Sequence, residues 1–198
     1  MPDFHRVDIS DDTFIRGAAR FLWAALTVSF PSNISQVINL SNYNAMTNWN
    51  DLGATKTGVA ITVNNTEEVF DVDQLYGEID SQPTSWEASI ATALAEVTLA
   101  RFQVAWEGGT ISTSGGESRM GFGQPRTYTR RMMAVVHQRT NNKLRAFVFR
   151  KAQRAAQEST ITYAKTGDQQ TIPVRFRALA DSSIADEKDR LGVIFNQD

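Results

Sequence analysis

Thr84-Ser-Trp-Glu-Ala-Ser-Ile-Ala-Thr-Ala-Leu-Ala-Glu-Val-Thr-Leu-Ala-Arg-Phe-Gln-Val-Ala-Trp-Glu-Gly-Gly109 is the stretch whose reading decides the fold. Its first half alternates. Trp86, Ala88, Ile90 and Leu94 share one parity, and Ser85, Glu87 and Ser89 take the other. A period of two marks a half-buried strand. From about Ala93 the period changes: Ala95, Leu99, Phe102 and Trp106 stack along one side of a helix, predicted over about Ala93 to Trp106. Gly108 and Gly109 supply its stop, because glycine accepts the left-handed conformation that ends many helices. Val97, Ala100 and Val104 give the helix a second apolar side. Two such sides are buried either within one domain or between a sheet and a neighbouring subunit, and this stretch leaves both readings open.

Working outward, Val59 to Val63 alternates as a strand, ended by the turn pair Asn64-Asn65. Glu67 to Ile79 reads as an acidic extended segment or long loop. Towards the N-terminus, Ala18 to Ser29 fits strand or helix by pattern, Ile34 to Ile38 a short helix capped by Ser32 or Asn33, and Asn39 to Asn50 a long loop. Residues 1–15 read as an arm, and the glycine-rich 108–125 as a surface loop. Tyr128 to Gln138 and Lys143 to Lys151 are strands joined by a turn at Thr140-Asn141-Asn142. Ser159 to Ala164 pairs with Thr171 to Leu179 around Gly167, and Leu191 to Phe195 is a last strand. Eight or so short strands with one firm helix predict a mainly β protein, a sandwich or barrel carrying one packed helix and long loops. At 198 residues it suits a single domain.

With 41% hydrophobic and 21% charged residues, the composition is that of an ordinary globular protein able to fill a core. No apolar run reaches the roughly 18 residues of a membrane span, and Phe21 to Val28 lacks the flanks of a signal peptide. There is no cysteine, which excludes disulfides, thiolate metal sites and cysteine catalysis. His5 and His137 lie far apart and read as surface or strand residues.

The net charge of −2 conceals a segregation. Thr57 to Ala100 holds Glu67, Glu68, Asp71, Asp73, Glu78, Asp80, Glu87 and Glu96 with no lysine or arginine. Ser118 to Arg154 holds ten bases and no acid, among them Arg130, Arg131, Arg145 and Arg150. Two solvated faces of opposite sign are the ordinary reading. Two functional readings compete with it: nucleic-acid binding by the basic block, or opposite potentials meeting across contacts of a self-assembling protein.

Catalytic patterns are missing. There is no Gly-X-Ser-X-Gly elbow, no His-Glu-X-X-His helix and no Gly-Lys-Ser/Thr phosphate loop. Asp71 and Asp73 share a parity and are able to offer two carboxylates to a cation, although a solvated acidic face is the commoner case. The expectation is a protein that is no enzyme and has no cofactor or metal.

Three stretches carry a resemblance: Trp49-Asn-Asp-Leu-Gly-Ala-Thr-Lys-Thr-Gly58; Glu67 to Gln74 through Gly77-Glu-Ile79 to Leu94-Ala-Glu-Val-Thr-Leu99; and Ile172-Pro-Val-Arg-Phe-Arg-Ala-Leu-Ala-Asp181 with Leu191-Gly192 after it. In this order and spacing the chain, from about Ala18 to Ile194, resembles the major tail tube proteins of tailed bacteriophages. The resemblance implies a β-sandwich flanked by one helix. It implies hexameric rings stacked into a hollow tube with an acidic lumen, assembled in the host cytoplasm and carried in the virion tail. It also implies contacts with tape measure, tail tip or baseplate, terminator and any sheath, and passage of DNA. A tailocin or secretion tube and a tail-end ring are close alternatives; a DNA-binding protein using residues 118–154 is the distant one. On this reading Glu67, Glu68, Asp71, Asp73, Glu78, Asp80, Arg130, Arg131, Arg145 and Arg150 are candidate inter-subunit or lumen residues, and Leu99, Phe102 and Trp106 form the core side of the helix.

Overall fold

The computed structural model of the chain describes residues 19–70, 80–123, 127–139, 142–156, 159–161 and 170–197. Among them are strands β1 (Ala19–Ala25), β2 (Asn50–Asp51), β3 (Thr55–Phe70) and β4 (Asp80–Leu94), then helix α1 (Leu99–Ala105). Strands β5 (Ser112–Ser114), β6 (Glu117–Arg119), β7 (Arg131–Gln138), β8 (Leu144–Arg154), β9 (Ile172–Leu179) and β10 (Gly192–Asn196) follow. The protein is mainly β with one helix, as the periodicity predicts.

One antiparallel sheet runs β2-β1-β7-β8-β9-β4-β3, with β10 also on β8. It does not lie flat. β1 and β9 are three strand spacings apart, about 14 Å in a flat sheet, yet the rings of Phe21 and Phe176 meet edge to face at 5.8 Å between centroids. The sheet therefore folds over on itself, and a first core fills the fold: Phe21, Ile90, Leu94, Met133, Phe149, Ile172 and Phe176, with Phe102 and Trp106 at its margin. Leu22 and Ala24 of β1 and Met132, Ala134 and Val136 of β7, with Leu144, Ala146 and Val148 of β8, face the other way into a second core. Strands buried on both faces read as continuous apolar runs, which explains the unbroken Met132 to Val136.

The second core is roofed by residues 30–49. A single 3-10 turn (Ile34–Gln36) stands where the short helix is expected, and Asn33 makes no side-chain cap to it. An isolated bridge, Ile38 to Ala45, then closes the polar loop on itself. Ile34, Val37, Ile38 and Trp49 point inward from this roof. The roof accounts for the isolated apolar residues of an otherwise hydrophilic stretch.

Several expectations are corrected. Asn64-Asn65 is no turn: β3 runs through it, opposite Glu87 and Trp86, because ladder pairing outweighs turn propensity. The helix starts at Leu99, not Ala93, since Leu94 is held in strand by pairing with both Thr55 and Ile172 and the Ala95 amide still bonds Ala54 O. Thr98 caps it instead, accepting from the Arg101 amide. With seven residues left, the helix buries Val104 and Ala105, whereas Leu99 sits in the first turn, half-buried and outside the core. The glycine-rich loop contains the β5–β6 hairpin, turned by Gly115 and Gly116 at φ of +61° and +83°. Ser159 to Ile161 is no strand, and β9 pairs with β8 and β4 instead. Residues 1–18, the Thr140-Asn141 part of the turn and the rest of the expected Ser159–Ala164 strand lie outside the described residues.

His137, at the end of β7, is 5% exposed, stacks on Phe147 and has its Nε2 buried without a partner. Burial, with Arg145 and Arg139 nearby, lowers its pKa below the usual 6.5. The folded protein thus favours neutral histidine, and the stability this contributes is present above about pH 6.5 and lost as pH falls below it. We expect the denaturant midpoint to drop between pH 7.5 and 5.5, and His137→Phe to remove most of that drop. An equal drop in the variant refutes the assignment.

Candidate functional site

β4 pairs with β9 only from Ser89 to Leu94, because beyond Arg177 the β9 strand passes on to β8. Beyond Thr62 out to Phe70, and back from Asp80 to Ala88, β3 and β4 therefore leave the sheet as a two-stranded ribbon. At about 3.4 Å per residue it reaches about 27 Å. A register shift between Thr66 and Glu67 marks a bulge at Thr84, whose hydroxyl bonds Thr66 O at 3.0 Å. Pro83 lacks an N–H and fits beside such a break.

Directly opposed residues share a face, so the register assigns the ribbon's two sides. The side continuous with the first core carries Ile61/Ile90, Val63/Ala88, Asn65/Trp86, Glu67/Pro83 and Val69/Ser81. Ile90 is fully buried, but Val63 is 55% and Trp86 58% exposed. The alternation that places Trp86 in phase with Ala88 and Ile90 is real; the burial stops because, among the described residues, no third strand accompanies it beyond Ser89. The opposite side carries Asn64/Glu87, Thr66/Ser85, Glu68/Gln82 and Phe70/Asp80 and is mostly polar.

Of the acidic candidates, Glu67, Glu68 and Asp80 stand exposed on this ribbon; Asp71, Asp73 and Glu78 lie outside the described residues. Glu67 faces the apolar side, and Glu68 and Asp80 the polar one. The basic candidates do not form one patch. Arg130 is exposed. Arg131 is buried and corrected as a surface candidate: its NH1 lies 2.7 Å from Glu107 Oε1, with side-chain exposures of 9% and 3%, and its guanidinium sits over the Trp23 ring. Arg145 donates from Nε to Asn196 Oδ1 at 2.9 Å. Arg150 lies 3.9 Å over the Phe30 ring and donates to Asp189 O, so it too serves the fold.

The Arg131–Glu107 pair also explains the helix end. Gly108 N bonds Gln103 O, a Schellman closure, and the left-handed residue within it is Glu107 at φ +54°, not a glycine. Glu107 tolerates that conformation because its carboxylate holds Arg131 and also accepts from Thr129 N at 3.2 Å. Glycine at this position is what composition alone suggests; the long-range partner overrides it. Trp106, expected in the core, is half-buried at its margin, with Nε1 donating to Ser159 Oγ at 3.0 Å.

The three stretches that carry the resemblance meet in space. Arg101 donates to Asp51 O and Glu96, the Ala54 amide to Glu96, and Leu94 pairs with both Thr55 and Ile172. Gly53, at φ +89°, lies against Glu96 and Arg101 with no room for a Cβ. This junction is structural, a clamp at the base of β3 and β4. Among the described residues no three His, Asp or Glu side chains gather to hold a metal, and no helix is long and apolar enough to cross a membrane.

Fold and surface together define a mainly antiparallel-β protein whose distinguishing feature is an acidic ribbon that pairs with no third strand among the described residues. No protein-family model matches the sequence, and no curated protein is significantly similar to it.

Breaking a buried ion pair costs about 3–5 kcal/mol, while relieving a left-handed non-glycine residue returns about 1–2 kcal/mol. The pair wins. Glu107→Gly, which a helix-stop rule favours, should lower unfolding free energy by about 2–3 kcal/mol, and adding Arg131→Met should recover most of the loss. Denaturant titration checks both; a Glu107→Gly chain as stable as the parent rejects the account.

Proposed function

We propose that this chain is a structural protein that assembles with copies of itself into stacked rings, forming the tail tube of a tailed bacteriophage. Hexameric rings, DNA passage and contacts with tape measure, tip and terminator proteins follow from the resemblance. The observation that carries the reading is the ribbon. Two-stranded ribbons are marginal in water and normally gain a third strand or a packed layer. This one continues the parity of the core outward as Val63, Trp86 and Val69, all at least 44% exposed. A second molecule is the natural cover.

The contact is head to tail. The ribbon projects from one end of β4, while α1 follows the other end, about 27 Å beyond Trp86. A rigid strand cannot fold its own tip back to cover itself, and a contact joining unlike surfaces generates rings or helical stacks. The ribbon's two sides separate two roles for acid. Glu67 stands among the apolar residues of the contact, where it meets bases of the neighbour. Glu68 and Asp80, on the polar side, remain to repel phosphate from a channel wall.

Light scattering over a wide concentration range, with negative-stain microscopy, should show rings or tubes. A protein that stays monomeric even with a tail-tip nucleus added overturns the proposal. Glu67→Lys should raise the concentration needed for assembly at least about tenfold, or 1.4 kcal/mol per contact. Glu68→Lys should leave tubes of normal length that release DNA more slowly. Normal tubes from Glu67→Lys remove that residue from the contact.

A further inference from the structure

Among the described residues, Phe122 is the most exposed large apolar side chain, at 77%. It is nonetheless held. Gly109 N bonds Gly121 O at 2.8 Å, and its ring stands edge-on to Trp106 at 6.1 Å between centroids. Trp106 in turn packs against Phe102, the rings tilted at 52° with centroids 4.7 Å apart, and has its indole N–H satisfied by Ser159, which leaves an apolar outer surface. Beside the two rings is an open groove of about 380 Å³, lined also by Gly123 and Arg154. Tyr128, 42% exposed, and exposed Arg130 flank Thr129, whose amide is fixed on Glu107 at the end of α1. An aromatic shelf therefore stands at the C-terminal end of α1, with Arg154 in its lining.

We propose that this shelf is the seat for the β3–β4 ribbon of a second copy, with Trp86 of one molecule against Phe122 and Trp106 of the other. The inference rests on the self-assembly reading above and names the receptor surface for it. Each half lacks what the other has. The ribbon offers an exposed tryptophan and valines edged by Glu67 with no cation from Thr57 to Ala100. The shelf offers exposed aromatic faces with exposed Arg130 beside them, next to Thr129 at the end of α1, where Glu107 is already neutralised inside by Arg131. Buried aromatic anchors ringed by complementary charge are the pattern of an interface centre. Single-stranded nucleic acid also stacks on aromatics beside arginine, but it leaves the ribbon of the same chain uncovered. A second copy satisfies both surfaces with one contact.

The absence of cysteine makes the test clean. Asn65→Cys sits opposite Trp86 on the ribbon's apolar side, and Gly123→Cys lines the groove, where an added Cβ meets nothing within 4 Å. Both variants keep the proposed anchors. Under mild oxidation a mixture of the two should form a disulfide dimer at least about tenfold faster than Asn65→Cys mixed with Ser35→Cys, an exposed site on the roof of the second core. Phe122→Ser added to the Gly123→Cys chain should bring the rate down to that control, and high salt should slow the specific pair. Should Asn65→Cys melt early, Val63→Cys on the same side replaces it. Cross-linking at the control rate in a protein that still assembles overturns the shelf and leaves self-assembly standing. The same rate with loss of particles in the parent chain removes both. Cross-linking at the control rate together with Phe122-dependent retention of single-stranded DNA reassigns the shelf to nucleic acid.

Discussion

β8 serves two neighbours along one edge, and the fold depends on that division. Residues Arg145 to Phe149 pair with β10, and Lys151 to Arg154 pair with β9. The exchange falls at Arg150, whose amide bonds Leu191 O at 3.1 Å. There Gly192 passes so close to β8 that a Cβ would run into the Val148 carbonyl and lie 3.1 Å from Phe149 Cα. The loop between β9 and β10 is pinned at the same place: Asp181 accepts from Lys151 Nζ and from the hydroxyl and amide of Ser183. These hydrogen bonds, Lys151 first, hold its pKa down at about 2. Its share of stability is present above the usual 3.8 and disappears only as pH falls towards 2. Because one strand feeds two branches, the sheet curls, and Phe21 reaches Phe176.

That geometry explains what was legible in the chain. Period two was readable wherever one face is buried and the other wet, as in Val174 and Phe176 against Arg175 and Arg177. Lys143 to Lys151 shows bulk on both faces because β8 borders both cores. What escaped was set by partners far off in sequence. Asn64-Asn65 has turn propensity, but the opposing strand holds it extended. Leu94 has neighbours compatible with helix, but Thr55 and Ile172 keep it in the sheet. Glu107 occupies a position where local rules ask for glycine, because Arg131, 24 residues on, pairs with it. Local propensity amounts to tenths of a kcal/mol per residue, up to about 1 for glycine. A buried charge pair or a doubly paired strand outweighs it.

The same contrast applies to the candidate site. The segregation of acid from base was visible at once, and it suggested two opposing blocks. In the structure the blocks behave differently. The basic one is largely absorbed by the fold: Arg131 neutralises Glu107, Arg150 covers Phe30, Lys151 holds Asp181. A one-dimensional charge count could not reveal this, since the acids involved lie outside the acid-rich segment. The exposed Phe122 was equally hidden, because a phenylalanine in a glycine-rich stretch carries no period by which to judge its burial.

Five ion pairs join described residues, and none uses a carboxylate of the ribbon. Glu67, Glu68, Asp80 and Glu87 are therefore placed where the fold has no need of charge, on a strand pair that has left its sheet. Stability within the chain does not explain that arrangement, since like charges on a narrow ribbon repel one another and a bare apolar stripe gains nothing in water. Both features become favourable once another surface covers the stripe and supplies cations at its edge. The Thr84 bulge fits the same requirement. It shifts the parity of β4 from Trp86 and Ala88 to Pro83 and Ser81, while β3 keeps its own alternation, so Val63 and Val69 stay on the side of Trp86 with Asn65 and Glu67 between them.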